Sequence, residues 1–347
     1  MFRIRARIAN ATGRTGLSDL ILSASARLPS GWQRLTILTW HRIAKDLGAG
    51  FDRSVVASSP EQFDRQIAIL KENFSVVDTA SLVKFHEEGR PLPPNPVLLT
   101  FDDGYRDNLT LALPILQNHR VKAVFFVPTG FMGEGKLFPW ERISALITRC
   151  RRPDIRIGYP EPLQLLLCGG ASSRLRAVRE LTCVSRSRPG VDESRFLTEL
   201  ATACEVPWDA SIEREIADEL ILDWNGVRAL VDGGMEVQSH GHSHALFPFI
   251  SPEQVRYEAA RSREVLEAKT GQSPVAIAYP AGAGLAPGQP SYAAVAAAGY
   301  KLGFCLGSKS LRLGQVSDWL SLPRLTSHPE LTEDRFRGFL AFPNFLC

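Results

Sequence analysis

The feature that most constrains this chain is a repeated alternation of short apolar runs with amphipathic stretches. RLTILTW, VLLTF, KAVFFVP, MEVQS, VAIAYP and YKLGFC are apolar on both faces and bounded by polar, Gly or Pro residues. Between them lie segments with apolar residues three or four apart, such as Phe63, Ile67, Leu70 and Phe74. Runs without alternation predict strands covered on both sides, and helix-length segments between them predict parallel crossovers. The pattern predicts strands over 34–41, 75–77, 97–101, 122–128, 235–239, 275–280 and 300–305. It predicts helices over 59–74, 78–89, 106–119, 223–232, 251–269 and 290–298, and one starting near Thr332. The fold class is therefore α/β with a mainly parallel sheet. From about 140 to 210 the sequence becomes helical, Arg-rich and irregular, and reads as an insertion on one face of the core.

A chain of 347 residues admits one large domain or two small ones. We expect one catalytic domain over 34–345, with the insertion inside it. The net charge of +3 excludes nucleic acid as the main partner. Six cysteines without C-x-x-C spacing exclude a zinc ribbon and a dense disulfide scaffold. Residues 1–33 form a basic leader in which Arg3, Arg5, Arg7 and Arg14 break every apolar core that a secretion signal needs. Its composition suits a solvated leader, an amphipathic helix on an anionic membrane surface, or an organelle transit peptide. No apolar run reaches membrane-spanning length. These features point to a cytoplasmic protein, with peripheral inner-membrane contact through the N-terminus as an option.

In parallel α/β folds the chemistry gathers at the carboxyl ends of strands. Three such ends are unusual here: Trp40-His41-Arg42, Phe101-Asp102-Asp103-Gly104 and Ser239-His240-Gly241-His242-Ser243-His244. Adjacent carboxylates diverge, so Asp102 and Asp103 suit different tasks, one as metal ligand and one as base. Alone, Asp-Asp-Gly is also ordinary turn chemistry. His240 and His244 have the i, i+4 spacing that brings two imidazoles to one metal, whereas His242 would share a strand face with either. Two histidines and a carboxylate form a recurring catalytic metal site.

LLTFDDGYRDN (98–108) and VQSHGHSH (237–244) resemble the two metal-site motifs of the polysaccharide deacetylases, the NodB-homology carbohydrate esterases. LTWHRI, KAVFFVP, AIAYPAG (276–282) and GYKLGF agree with that family in order and spacing, over roughly 34–128 and 222–328. The resemblance implies a distorted, incomplete (β/α) barrel. It implies that Asp103, His240 and His244 hold a divalent metal, usually zinc, with cobalt, nickel, iron or manganese as alternatives. Asp102 would be the general base, and the Ala281 N–H would face the oxyanion. The implied reaction removes acetyl groups from N-acetylated sugars of a polysaccharide, oligosaccharide or glycolipid precursor. His41 and His328 are the candidates for the general acid.

The sequence departs from the family at two places. Ala281 replaces an aromatic residue after Pro280, and Ala278 replaces an arginine that orients the base in many members. Arg324 is the candidate substitute. Tyr105, directly after the acidic motif, is the candidate for stacking on a sugar face. The departures keep open a sugar-binding pseudoenzyme of the same fold. Gly241-His-Ser243-His-Ala245 is a near miss to a nucleophile elbow, so Ser243 offers a serine-esterase alternative. GFMGEGKL (130–137) fails as a phosphate loop, because Leu137 stands where the magnesium-binding hydroxyl belongs.

Overall fold

The computed structural model describes residues 17–25, 33–45, 51–187 and 191–342. In chain order the elements begin with α1 (Leu17–Ser25), β1 (Arg34–Trp40), β2 (Arg42–Ile43), β3 (Val56–Ser58), α2 (Pro60–Asn73) and β4 (Ser75–Val76). Next come α3 (Thr79–Glu88), β5 (Pro96–Phe101), α4 (Leu113–His119), β6 (Val124–Val127), α5 (Pro139–Arg149), β7 (Asp154–Ile157) and β8 (Leu163–Leu166). Then follow α6 (Ala171–Ser187), α7 (Glu193–Ala203), α8 (Ala210–Leu220), α9 (Trp224–Asp232), β9 (Glu236–Ser239) and α10 (Pro252–Thr270). The chain ends with β10 (Ala276–Ala278), α11 (Pro290–Ala297), β11 (Leu302–Leu306), β12 (Leu311–Arg312), β13 (Leu322–Thr326) and α12 (Glu333–Ala341). The chain divides into two compact units, one of residues 1–45, 56–132 and 222–347, the other of 46–55 and 133–221.

The first unit is a barrel. Its strands run in the order β1-β13-β11-β10-β9-β6-β5, and parallel pairing of β5 with β1 closes the ring. Seven parallel strands is one short of the eight in a complete (β/α) barrel. β12 adds antiparallel to β1, and β4 adds parallel to β5. The strands are buried along almost their whole length, as their unbroken apolar runs require.

The two-residue side-chain period sorts each strand into an inner and an outer face. Leu35, Ile37, Leu98, Val124, Phe126, Ala276, Ala278, Leu302, Phe304 and Leu322 pack together from six strands and fill the barrel interior. Trp40, Phe101 and Phe125 face outward. Trp40 meets Phe63 of α2 edge-on at 5.5 Å, and Phe101 stacks on Phe125 at 4.8 Å. Continuing the inner face toward the carboxyl ends reaches Thr39, Thr100, Asp102, His240 and Arg324, where apolar filling gives way to polar side chains.

Local signals fix the helix ends. Ser251 and Gln254 form a reciprocal capping box at the start of α10, and Gly271 ends that helix in a left-handed conformation at φ 69°. Asp78 caps α3 and Asp223 caps α9.

The second unit has its own core. Ile143, Leu146, Ile147, Leu181, Phe196 and Leu200 pack with Ile155 and Leu165 of the antiparallel β7–β8 hairpin. Residues 140–210 fall within it, together with 46–55 and the flanks 133–139 and 211–221. Of the leader, only residues 17–25 and Gln33 are described. There α1 buries Leu22 and leaves Leu17 and Leu20 exposed.

Candidate metal centre and its neighbours

Two loops at the carboxyl edge of the barrel bring their polar side chains together, and a third carries Ala281. β5 delivers Asp102 and Asp103, β9 delivers His240 and His244, and β10 delivers Ala281. Each loop turns sharply just past its strand. Asp103 (φ 73°), His244 (φ 59°) and Ala281 (φ 53°) all take the left-handed conformation that disfavours residues with a Cβ. Half of the six such residues among those described therefore lie in these loops. Strained backbone persists where surrounding structure over-determines it, and it concentrates at functional sites.

Asp103 Oδ1 stands 3.4 Å from His240 Nε2 and 3.4 Å from His244 Nε2. One donor atom from each of the three residues lies within 4.8 Å of the others. Ligand atoms held ~2.1 Å from a tetrahedral ion are ~3.4 Å apart, so both measured spacings fit a shared cation. The donor set also fits: two imidazole nitrogens and a carboxylate leave open a position for water or substrate. His240 Nδ1 donates to the Ala278 carbonyl at 2.8 Å, which fixes the ring so that Nε2 faces Asp103.

Burial pushes the Asp103 carboxyl up, but the His240 and His244 hydrogen bonds and the His41 charge hold it well below the usual carboxylate range. Burial pushes the His240 imidazole down, yet Asp102 and Asp103 raise it above the ordinary histidine value. The pocket is thus built to favour positive charge.

Asp102 sits beside this trio with only 2% of its surface exposed. Arg324 binds it in a fork, Nη1 to Oδ1 at 2.6 Å and Nη2 to Oδ2 at 2.6 Å. Nη1 also donates to Thr39 and Thr100 Oγ1, both at 3.3 Å. The guanidinium carbon lies 5.4 Å from the centre of the Phe126 ring. Burial raises the Asp102 carboxyl, but the charges of Arg324 and His240 outweigh it and lower the pKa. Asp102 is consequently an ionised carboxylate at neutral pH.

His41 Nε2 lies 4.0 Å from Asp102 Oδ2 and keeps part of its side chain exposed. Its carbonyl accepts from Asn108 Nδ2 at 2.8 Å. The following residue, Arg42, pairs with Asp107 at 2.8 Å, and Asp107 also accepts from the Ile43 N–H. Burial raises the Asp107 carboxyl, although Arg42 opposes it. His328 follows β13. β1 and β13 pair Leu38 with Leu325 and Thr39 with Thr326, which brings His328 to the level of His41. Burial, the largest effect, lowers the His328 imidazole below its ordinary value.

Two sequence expectations are corrected. Tyr105 has no exposed surface and lies beneath the Arg42 guanidinium, 5.1 Å from its ring centre, so neither face is free to stack on a sugar. Tyr279 is equally buried and donates to the Leu320 carbonyl, while Trp140 and Trp319 are core residues. Ser243 is not poised as a nucleophile. Its hydroxyl donates to Glu258 at 2.6 Å, while the His240 and His244 rings address Asp103. His242 faces away from the trio, with Nδ1 on Thr129 Oγ1 at 2.8 Å.

Sequence reasoning missed Asp107, Asn108 and Glu258. Asp107 and Asn108 close the same DDGYRDN segment that carries Asp102, and both are buried. Two further polar residues in the segment that carries Asp102 and Asp103 were the available signal. Glu258 lies on a helix that otherwise reads as amphipathic, and nothing local marks it.

The fold and site define a (β/α)-barrel protein with an Asp-His-His donor set spaced for a metal ion beside an arginine-bound carboxylate. The polysaccharide deacetylase profile matches residues 89–159 and 200–303, and the chain belongs to that family. A poly-beta-1,6-N-acetyl-D-glucosamine N-deacetylase of Escherichia coli (strain K12) is 34% identical over 94 residues, 27% of this chain. That match spans 13% of the relative's length. Among solved structures, Streptococcus pyogenes deacetylase PplD in complex with acetate aligns over 87% of this chain and 96% of its own, with TM-score 0.55 and 18% identity. IcaB from Ammonifex degensii aligns over 90% of this chain and 97% of its own, with TM-score 0.54 and 17% identity. At these identities the structural likeness shows the fold.

Proposed function

We propose that the protein is a metal-dependent carbohydrate N-deacetylase that hydrolyses the acetamide of N-acetylated sugars in a glycan. The observation that carries this reading is the juxtaposition of Asp103, His240 and His244 with the Arg324-bound Asp102. The family supports the class, and the Escherichia coli relative's name suggests a polymer of N-acetylglucosamine as the first substrate to try.

Asp103, His240 and His244 would hold the cation, with zinc the best match to the donor set and spacing. Such a cation supplies Lewis acidity, polarising the acetyl carbonyl and lowering the pKa of water toward ~7. Asp102 then accepts the proton of the attacking water. Each of its oxygens keeps a lone pair after binding Arg324, and the fork holds the carboxyl plane fixed. The Ala281 N–H, aimed by its left-handed turn, donates to the oxyanion. His41 is the first candidate to protonate the departing amine, because its Nε2 stands near Asp102 Oδ2 and its ring reaches solvent. His328, which follows the adjacent strand β13, is the second. Ala278 does not weaken the reading, since Arg324 supplies the fork on Asp102 and the Ala278 carbonyl orients His240. No helix among the described residues is long and apolar enough to cross a membrane. Leu17 and Leu20, exposed on α1, would be the contact points of a peripheral association.

The test is acetate release from N-acetylglucosamine oligomers by protein stripped with chelator and reloaded with zinc or cobalt. Metal-dependent release that falls by about 10²–10⁴-fold in Asp102→Asn, with metal binding retained, is expected. Stoichiometric zinc binding without release from any N-acetylated glycan would favour the sugar-binding pseudoenzyme instead.

A further inference from the structure

We propose that Glu258 of α10 is a positioning residue for the two histidine ligands, acting through the turn that joins them. The inference rests on the metal-site reading of Asp103, His240 and His244.

The turn from Gly241 to Ser243 must place His244 at φ 59°, a conformation that a histidine does not adopt without support. Its polar backbone is tied down from outside. The Glu258 carboxylate accepts the His242 N–H at 2.7 Å and the Ser243 N–H at 2.8 Å, both on Oε2, and the Ser243 hydroxyl at 2.6 Å on Oε1. Ser239 Oγ accepts the Gly241 N–H at 3.1 Å and is itself bonded to Ser262 Oγ at 2.8 Å. Glu258 and Ser262 are one helical turn apart, so a single face of α10 serves both bonds. From the opposite side, the Thr129 and Gly130 N–H groups donate to the Gly241 and His242 carbonyls at 3.2 and 2.7 Å.

Of these supports, Glu258 is the only acidic side chain, and it engages two consecutive N–H groups directly before His244. Glu258 is only 5% exposed, so water is a poor substitute acceptor. Gly241 belongs to the same arrangement. It takes φ 76°, and a Cβ there would lie 3.3 Å from Glu258 Oε2. With the carboxylate removed, the turn is free to relax toward ordinary backbone, and His244 Nε2 withdraws from Asp103.

The experiment measures zinc affinity of the full chain by competition with a chromophoric chelator. Groups that orient metal ligands from outside typically change affinity by about 10–100-fold, and that loss is expected for Glu258→Ala. Glu258→Gln keeps an oxygen for the two N–H groups and is expected to stay within about threefold of the parent, since it preserves the hydrogen bonds that matter. Val255→Ala, a buried cavity on the same helix, is expected to lower the melting temperature without moving the affinity. Asp103→Asn must abolish tight zinc binding. If it does not, the metal-site reading fails, and the present inference fails with it. If Asp103→Asn behaves as expected but Glu258→Ala binds zinc like the parent, the inference alone is overturned. Should Glu258→Ala not fold, Ser243→Ala decides. Its side chain is exposed, and loss of its bond to Oε1 is expected to weaken zinc about threefold. Unchanged affinity there would overturn the proposal.

Discussion

Replacing Arg324 with methionine isolates the electrostatic design of the site. Arg324 has no exposed surface, and its fork makes two 2.6 Å bonds to a carboxylate whose side chain is 3% exposed. Breaking a buried pair from one side leaves an uncompensated charge and costs about 3–5 kcal/mol. For a chain of this size each kcal/mol lowers the melting temperature by about 2 °C, so a loss of ~6–10 °C at neutral pH is expected. The cost must also depend on pH. In the parent, the folded Asp102 pKa lies below the unfolded value of ~3.9, so the pairing contributes stability above that pH and loses it as pH falls through the folded pKa. In Arg324→Met the guanidinium no longer opposes burial, and the folded pKa rises above the unfolded one. The variant then tolerates protonated Asp102 at low pH and is penalised as pH rises through that interval. Thermal melts of metal-stripped parent and variant at pH 7.5 and 4.5 therefore give a wide gap at the higher pH and a narrow one at the lower. A gap independent of pH, or one below about 1 kcal/mol at pH 7.5, would refute the assignment of Arg324 as the charge that holds Asp102 ionised. Lysine at 324 cannot serve both oxygens as a planar fork does, and it should recover only part of the loss.

Other outcomes follow from the same geometry. Zinc affinity, followed by competition titration, should weaken as pH falls below the raised His240 pKa, because protons and metal compete for Nε2. Tyr105→Ala should cost about 3–5 kcal/mol in denaturant melts while the KM of the folded fraction for oligosaccharide stays unchanged, because the ring is core. Phe101→Ala should cost a similar ~3–5 kcal/mol by opening the stack of Trp40, Phe101 and Phe125 without altering zinc stoichiometry.

The barrel was legible in the sequence because parallel strands buried on both faces must be continuously apolar. β1, β5, β6, β9, β10 and β11 fall within or beside the apolar runs. β13 was harder to see. SLPRLTS carries Pro323 and Arg324 in its middle, and only the polar layer at the barrel's carboxyl end makes an arginine acceptable inside a strand. The Asp103, His240 and His244 group was legible as spacing plus family likeness, and of the geometries open for 240–244, a strand, a helix or a tight loop, the structure has the loop. The segment is an irregular turn, and the left-handed His244 brings the rings to 4.9 Å between centres. Tyr105 was misread because sequence shows that an aromatic residue follows a catalytic turn but not which way its ring points. Here Arg42 and Asp107, contributed by β2 and the acidic loop, enclose it.

The arginine itself shows why position along the chain is a weaker guide than position in the barrel. Ala278 on β10 is level with Phe304 on β11 and, across β11, with Leu322 on β13. Arg324 pairs with Leu306, one side-chain layer nearer the carboxyl edge. Both positions belong to the inner face, so a fork anchored at either can be directed at the same lumen. What selects between them is reach and local filling. From 278 an arginine would have to rise a layer through the space that Phe126 and Phe304 occupy, 5.3 Å apart between ring centres. From 324 it lies level with the Thr39 and Thr100 hydroxyls, which share the second Nη1 hydrogen while Nη1 and Nη2 each donate to Asp102. With alanine at 278, the fork on Asp102 comes from 324. The arginine missing at 278 and the arginine present at 324, already paired as candidates in the sequence, are one change when read around the barrel.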